Sequence, residues 1–410
     1  MKKILSFFLL VSLILTMVSC SPEDDADERP KDKVKKETDI AEIEVITEPE
    51  YEETEKIEHD HSADPQTTRG KLLQVMPDLE EHFFVNQLEG YMLDAFYVAY
   101  TAYLNYEDGC SFPTGLTEDE AFAIKIYLNY DCPELVQFEG DNLYYCWENG
   151  KVSGYELSYS RSASEFERMK RQTEAQLKEL IAPVKNSDPE RAEKYVYEEI
   201  ISTCTYSAEA YHSFSAYGVL VNKVARCEGF SRTFTWAMRE LDIESFVIAG
   251  GDNNDLYNAH SWNVVNINGY YCEVDVTYDN VRGTDGSLFP ISYGFFNVSD
   301  KLHRDSYELW DPFTRFGTLP RRDVEKMNFH NQRGTYAYST KQGVDIIRAQ
   351  LDDGENTVYV KFDDKSCWDE VLADFSEIMN EWSRDSGIGT SYNYYWYSDA
   401  YVIVMKINYN

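Results

Sequence analysis

Cys227, His260 and Asp275 are of the three types that together perform nucleophilic acyl transfer. A thiol nucleophile needs an imidazole to take its proton, and the imidazole needs a fixed orientation. A carboxylate bonded to the far ring nitrogen selects the tautomer and stabilises the imidazolium once it forms. Taken singly, each has a plainer reading. A cysteine at the start of an amphipathic helix is more often a small core residue, and a solitary His or Asp is more often a satisfied structural one. The ordered set, a helix-borne Cys followed by a strand-borne His and a next-strand Asp, carries the chemical reading.

The elements that must position these groups are legible around them. Phe230, Phe234, Met238 and Leu241 recur at helical spacing, which predicts a helix starting at or just before Cys227. A sulfur there meets unpaired backbone N–H groups and the positive end of the helix dipole, both of which favour thiolate over thiol. The same N–H groups can hold a developing oxyanion. Downstream, residues 259–267 and 270–277 read as strands joined by Asn268-Gly269, a dipeptide suited to a type I′ turn. Counting back from that turn pairs Ile267 with Tyr270, sets Asp275 opposite Trp262 and His260 opposite Thr277. His260, Trp262 and Val264 then share a face with Glu273, Asp275 and Thr277. His260 and Asp275 become diagonal neighbours within side-chain reach. The other face, with Asn263, Val265, Ile267, Tyr270, Cys272, Val274 and Val276, reads as core. Trp262 and Tyr278 are candidates to line a substrate cleft; packing beside the hairpin is their alternative role.

These segments resemble the bacterial transglutaminase-like proteins, which are related in fold to papain-like cysteine peptidases. The resemblance runs over roughly residues 189–303. It rests on Ser215-Ala216-Tyr217-Gly218-Val219-Leu220, the Cys227 motif, Leu241-Asp242-Ile243, Ala259-His260-Ser261-Trp262-Asn263, residues 273–279 and Phe295-Phe296-Asn297-Val298-Ser299-Asp300. Ser261 and Tyr278 stand where the family commonly has Ala and Trp, and neither change removes a catalytic group. The resemblance implies an α+β, papain-like core in which a helix carrying Cys227 packs on an antiparallel sheet carrying His260 and Asp275. It implies a Cys227–His260–Asp275 triad and a thioester intermediate, resolved by water or by a second amine. Hydrolysis is slightly favoured over cross-linking, since no amine-acceptor signature is evident. No cofactor or metal is expected. The substrate implied is a peptide or protein amide, with cell-envelope peptide as one candidate. The alternative is a non-catalytic surface lipoprotein that binds peptide or glycan with the same fold.

The flanks read differently. Met1-Lys2-Lys3 and the apolar run Ile4 to Val18 form a secretory signal over residues 1–19. Met17-Val18-Ser19-Cys20 resembles a lipobox, with Cys20 as the lipidated residue and an extracytoplasmic, membrane-anchored location as the consequence. Residues 20–70 are rich in charge and poor in aromatics, and are expected to form a disordered acidic tether. Residues 71–186 read as an α-rich domain with one β-hairpin, 187–333 as the catalytic domain and 334–410 as a small α+β appendage. Thr117/Glu120 and Ser162/Glu165 are capping-box pairs, and Asn149-Gly150 is a second hairpin turn.

Bulk composition narrows the partners. The chain of 410 residues has 38 basic and 73 acidic side chains, a formal charge of −35. That field repels phosphate backbones, excluding nucleic acid as a ligand, and opposes adsorption to anionic lipid, so attachment should be covalent. The 8 cysteines include no CxxC pair, which excludes a zinc ribbon or thioredoxin-type motif. Apart from Cys20 and Cys227, they read either as disulfides or as buried thiols.

Overall fold

Capping chemistry starts several of the amino-terminal helices. In the computed structural model, which describes residues 64–409 apart from Asp141 and Asn254, Thr67 accepts from the Gly70 N–H to start α1 (Thr68–Val75). This lies ahead of Lys71, where order was expected to begin. The expected signal peptide, Cys20 and most of the acidic tether lie outside the described residues. After α2 (Gly90–Leu104) and β1 (Gly109–Leu116), Thr117 and Glu120 exchange hydrogen bonds to open α3 (Glu118–Tyr130). Such a box satisfies N–H groups that have no partner inside the helix. Ser162 and Glu165 form the same box at α4 (Ala163–Ile181), and Asp188 with Pro189 opens α5 (Pro189–Thr203).

Asn149 and Gly150 take positive φ, 50° and 75°, as a type I′ turn requires, and join β2 (Leu143–Glu148) to β3 (Lys151–Leu157). The hairpin is part of a three-stranded sheet in the order β1-β3-β2. Strand β1 was not foreseen, because Gly109, Pro113 and Gly115 interrupt any β pattern in its sequence.

The short strands β4 (Thr205–Tyr206) and β5 (Val224–Ala225) lead into α6 (Cys227–Arg239). Next come β6 (Ser245–Asp252), β7 (Asp255–Ile267) and β8 (Tyr270–Val274), followed by α7 (Lys301–Arg304) and β9 (Tyr307–Leu309). This sheet runs β8-β7-β6-β9, antiparallel throughout. Its hairpin register is the one counted from the sequence, with Ile267 opposite Tyr270 and Val264 opposite Glu273. The ladder with β8 stops at Asn263 and Val274, however, so His260 is paired only on its other side, with Gly250 of β6. The cause is Asp275, whose Oδ1 accepts the N–H groups of Thr277 (2.9 Å) and Tyr278 (3.2 Å) and bends the chain away.

Both faces of this sheet are covered. On one, Asn263 Nδ2 donates to Ser231 O (2.8 Å) and Thr235 Oγ1 (2.9 Å), tying β7 to α6. On the other, Phe246 stacks on Phe83 with centroids 3.8 Å apart, and Trp262 and Val264 join a cluster containing Phe84, Phe96 and Tyr103. Burial on both sides explains why β6 reads as an almost unbroken apolar run. Two buried arginines of α6 fasten it to the end of α3 and the turn beyond. Arg239 bonds the Asp131 carboxylate (2.5 Å) and carbonyl (2.9 Å), while Asp131 Oδ2 accepts the Phe84 and Val85 N–H groups. Arg232 donates to Leu135 O (3.0 Å) and Asn129 Oδ1 (3.2 Å).

After α8 (Asp311–Thr314) and α9 (Phe329–Arg333), the chain ends in α10 (Thr340–Asp352), α11 (Lys365–Ala373) and α12 (Phe375–Ser386) against a sheet. That sheet contains β10 (Tyr336–Ala337), β11 (Thr357–Phe362), β12 (Thr390–Tyr397) and β13 (Val402–Tyr409), in the order β10-β11-β13-β12. The helical stretch expected from Trp368 to Trp382 is two helices, broken at Asp374, which ends α11 and begins α12. Buried Lys361 of β11 donates to Gly294 O (3.1 Å) and Ala400 O (3.0 Å), and burial pushes its pKa down to about 8. The described cysteines are all unpaired. Among the described residues, no helix is long and apolar enough to cross a membrane.

Candidate active site

Cys227 is the first residue of α6. Arg226 before it is extended (φ −106°, ψ 178°), and its N–H donates to Ser213 O at 2.9 Å. That contact draws the first turn of α6 against the 213–215 segment so closely that a Cβ at Gly229 would lie 2.4 Å from Ser213 O. Only glycine fits there. Arg226 and Glu228 form an ion pair beside the thiol, and Glu228 also accepts from Asn129 and Tyr130 at 3.3 Å. Their role is to fix the helix start. The thiol itself is free and half-buried.

His260 lies on β7 with Nε2 2.5 Å from Asp275 Oδ2, and the Cys227 thiol is near enough to favour its charged form. Because Nε2 is taken by the carboxylate, Nδ1 is the nitrogen left for the thiol. Burial opposes charge on this imidazole, but the adjacent Asp275 carboxylate and the thiol outweigh it, and its pKa is pushed up to about 10. Burial likewise opposes the Asp275 carboxylate. The charge and hydrogen bond of His260, with a second histidine behind, nonetheless hold it well below the usual range.

That second histidine, His303 of α7, was not anticipated. Its Nε2 lies 3.3 Å from Asp275 Oδ2, and its Nδ1 lies 2.7 Å from Glu273 Oε2. Glu273 in turn accepts from Trp262 Nε1 (2.9 Å) and Arg322 Nε (2.9 Å). The sequence gives one hint of this layer: Glu273 shares the inward face with Asp275, and a charge there demands partners. Nothing in Lys301-Leu302-His303-Arg304 marks His303 as the partner.

Trp262 is not at a cleft. It is 2% exposed, with its ring stacked on His303 (4.6 Å, 12°) and beside His260 (5.8 Å, 17°). Packing of α7 and Tyr307 over this part of β7 encloses it, so the packing role is the one it takes. Tyr278 is half-buried, 4.9 Å from the His260 ring, and its hydroxyl bonds that of Tyr307. It remains at the edge of the site. Among the described residues, no group of three or more His, Cys, Asp and Glu side chains is arranged to hold a metal ion.

Comparison with known proteins places part of the chain in a family. The family model for the transglutaminase-like superfamily matches residues 178–276, so this stretch, which contains all three residues, is a transglutaminase-like domain. Members of that superfamily are enzymes of the cysteine peptidase or acyltransferase kind. Similar solved structures include a TGase, at 15% identity and a TM-score of 0.24, covering 41% of this chain and 50% of that one. They also include the periplasmic domain of TgpA from Pseudomonas aeruginosa, at 15% identity and a TM-score of 0.22, covering 32% of this chain and 59% of that one. The chain thus spans between half and about three fifths of the length of these structures. Comparison with curated proteins gave no significant match.

Proposed function

We propose that this protein is a cysteine acyl-transfer enzyme acting on peptide or protein amides, with Cys227 as nucleophile, His260 as proton carrier and Asp275 as the group that orients it. One observation carries the reading. A single carboxylate holds His260 by Nε2 on β7, and a free thiol stands at the N-terminus of α6, the helix that Asn263 ties to that strand. In the first step the Cys227 sulfur bonds to the amide carbon, and the oxyanion is met by N–H groups of the first turn of α6. The tetrahedral intermediate then collapses as His260 donates its proton to the departing amine, leaving a thioester. Water, or a second amine, gives a proton back to His260, attacks the thioester and frees the sulfur. Water is the favoured acceptor. Tyr278, 4.9 Å from the His260 ring, is assigned to the wall of the acyl-binding cleft. We assign the enzyme to the outer face of a membrane, anchored through lipid on Cys20.

The test uses a glutamine-containing peptide library with and without a fluorescent primary amine. Ammonia or peptide release without amine incorporation is expected, and Cys227→Ala and His260→Ala should each lose it. Retention of full turnover by Cys227→Ala would overturn the assignment of the nucleophile. Amine incorporation in place of release would reverse the choice of acceptor.

A further inference from the structure

We infer that His303 is a charged positioning residue that sets both the orientation of Asp275 and the acidity of His260. The inference rests on the triad proposed above and extends it by one layer.

The argument begins with donors and acceptors. Ionised carboxylates only accept hydrogen bonds. His303 offers its two ring nitrogens to two different carboxylates, Nδ1 to Glu273 and Nε2 to Asp275. Both carboxylates are held below their ordinary range. Burial opposes this in each case, but His303 and Arg322 outweigh it at Glu273, and His260 and His303 at Asp275. Both nitrogens must then carry protons, which makes the ring an imidazolium. The ring is fully enclosed between Trp262 (4.6 Å) and Phe295 (5.8 Å). A ring rotation would break two charged hydrogen bonds.

The charges that face this ring can be followed element by element. From β8 and the residue after it come Glu273 and Asp275, from β7 comes His260, and Arg322 closes the far side of Glu273. On its own helix and cap, Arg304 and Asp300 pair with each other. Glu273, Asp275, Arg322 and His303 therefore sum to zero before the Cys227–His260 pair is added. That neutrality has a chemical purpose. Asp275 alone would hold His260 firmly as imidazolium, whereas its Nδ1 must surrender a proton to a leaving amine. His303 shares the same Oδ2 and draws charge from it, so the carboxylate stabilises that imidazolium less. It also fixes the plane of Asp275, whose carboxylate accepts four hydrogen bonds: from His260, His303, Thr277 and Tyr278.

The experiment compares wild type with His303→Gln, which removes the charge and keeps one donor. The reading is the iodoacetamide alkylation rate of the Cys227-bearing peptide against pH, resolved by mass spectrometry. The upper inflection reports loss of the His260 proton. The two ring nitrogens on Oδ2 are within about 6 Å of each other, so removing one charge should move that inflection up by roughly one to two pH units. Turnover in His303→Gln should fall about 10- to 100-fold by analogy with other supporting partners, mostly in kcat. An unmoved inflection in a folded His303→Gln variant overturns the inference. Nitrogen NMR of the intact protein gives a second arm. His303 should show two protonated nitrogens from about pH 6 to about pH 8, and a neutral tautomer in that range overturns it. Failure of the triad itself looks different, because His260→Ala would then leave Cys227 alkylation unchanged from wild type.

Discussion

Glu193 on α5 offers the sharpest quantitative test of how this fold treats a buried acid. It is fully enclosed, and among the described residues its one hydrogen-bond partner is Asn297, whose Nδ2 lies 2.9 Å from Oε2, while Oε1 meets no donor. Burial dominates, Asn297 opposes it weakly, and the carboxyl is pushed from 4.5 up to about 8. The sign follows from linkage. Below about pH 4.5 both folded and unfolded chains hold the proton, and the group has no effect. As pH rises from there toward about 8, the unfolded chain releases its proton while the native one keeps it, so stability falls. At pH 7 the loss amounts to about 3 kcal/mol, at about 1.4 kcal/mol per pH unit. Glu193→Gln does not titrate and escapes this loss. Urea denaturation of both proteins at several pH values isolates the effect, since all other titrations cancel in the difference. The stability of Glu193→Gln relative to wild type should climb by about 3 kcal/mol between about pH 4.5 and about pH 7. A difference that is flat across this range would refute the reasoning, whatever its absolute value.

Other outcomes follow from geometry already described. Arg239→Ala leaves the Asp131 carboxylate buried without its cation and should cost about 3–5 kcal/mol in a denaturant titration; a cost under about 1 kcal/mol would mean that the pair holds nothing. Gly154→Ala places a Cβ 2.0 Å from Cys110 O, forcing β1 and β3 apart, with an expected cost of about 1–3 kcal/mol by thermal melting. The His260 imidazolium stabilises the native state fully below its unfolded value of 6.5, and that contribution is lost as pH rises through about 10. The stability gap between wild type and Asp275→Asn should therefore narrow over that window, and a gap that widens would contradict the pairing.

How much of this was readable in advance depended on whether a feature is local. The capping boxes at Thr117 and Ser162 and both Asn-Gly turns are decided within a few residues, and the helices and hairpins appear where expected. Alternation on β7 and β8 was enough to put His260 and Asp275 on one face, and they meet there. The predicted ladder failed beyond Val274 because an aspartate side chain competes with sheet bonding for its own backbone. This choice depends on tertiary context. Trp262 stayed open because an aromatic beside a candidate catalytic histidine fits a cleft wall and a buried stack equally well; α7, from some forty residues downstream, decides between them. His303 and Arg322 were invisible for the same reason, since their partners are remote in sequence. Strand β1 was hidden by its own glycines and proline.

The guanidinium groups of α6 have a practical consequence for anyone trimming the chain. A fragment that begins at residue 178, where the recognisable homology starts, would retain Arg232 and Arg239 but delete every one of their acceptors between Asn129 and Leu135. Arg232 would keep Phe214 O and Arg239 Ser245 O, but both would lose their other partners in a wall exposed by the excision, on the very helix that presents the sulfur. The shortest piece able to stand alone therefore includes the stretch that looks dispensable by homology.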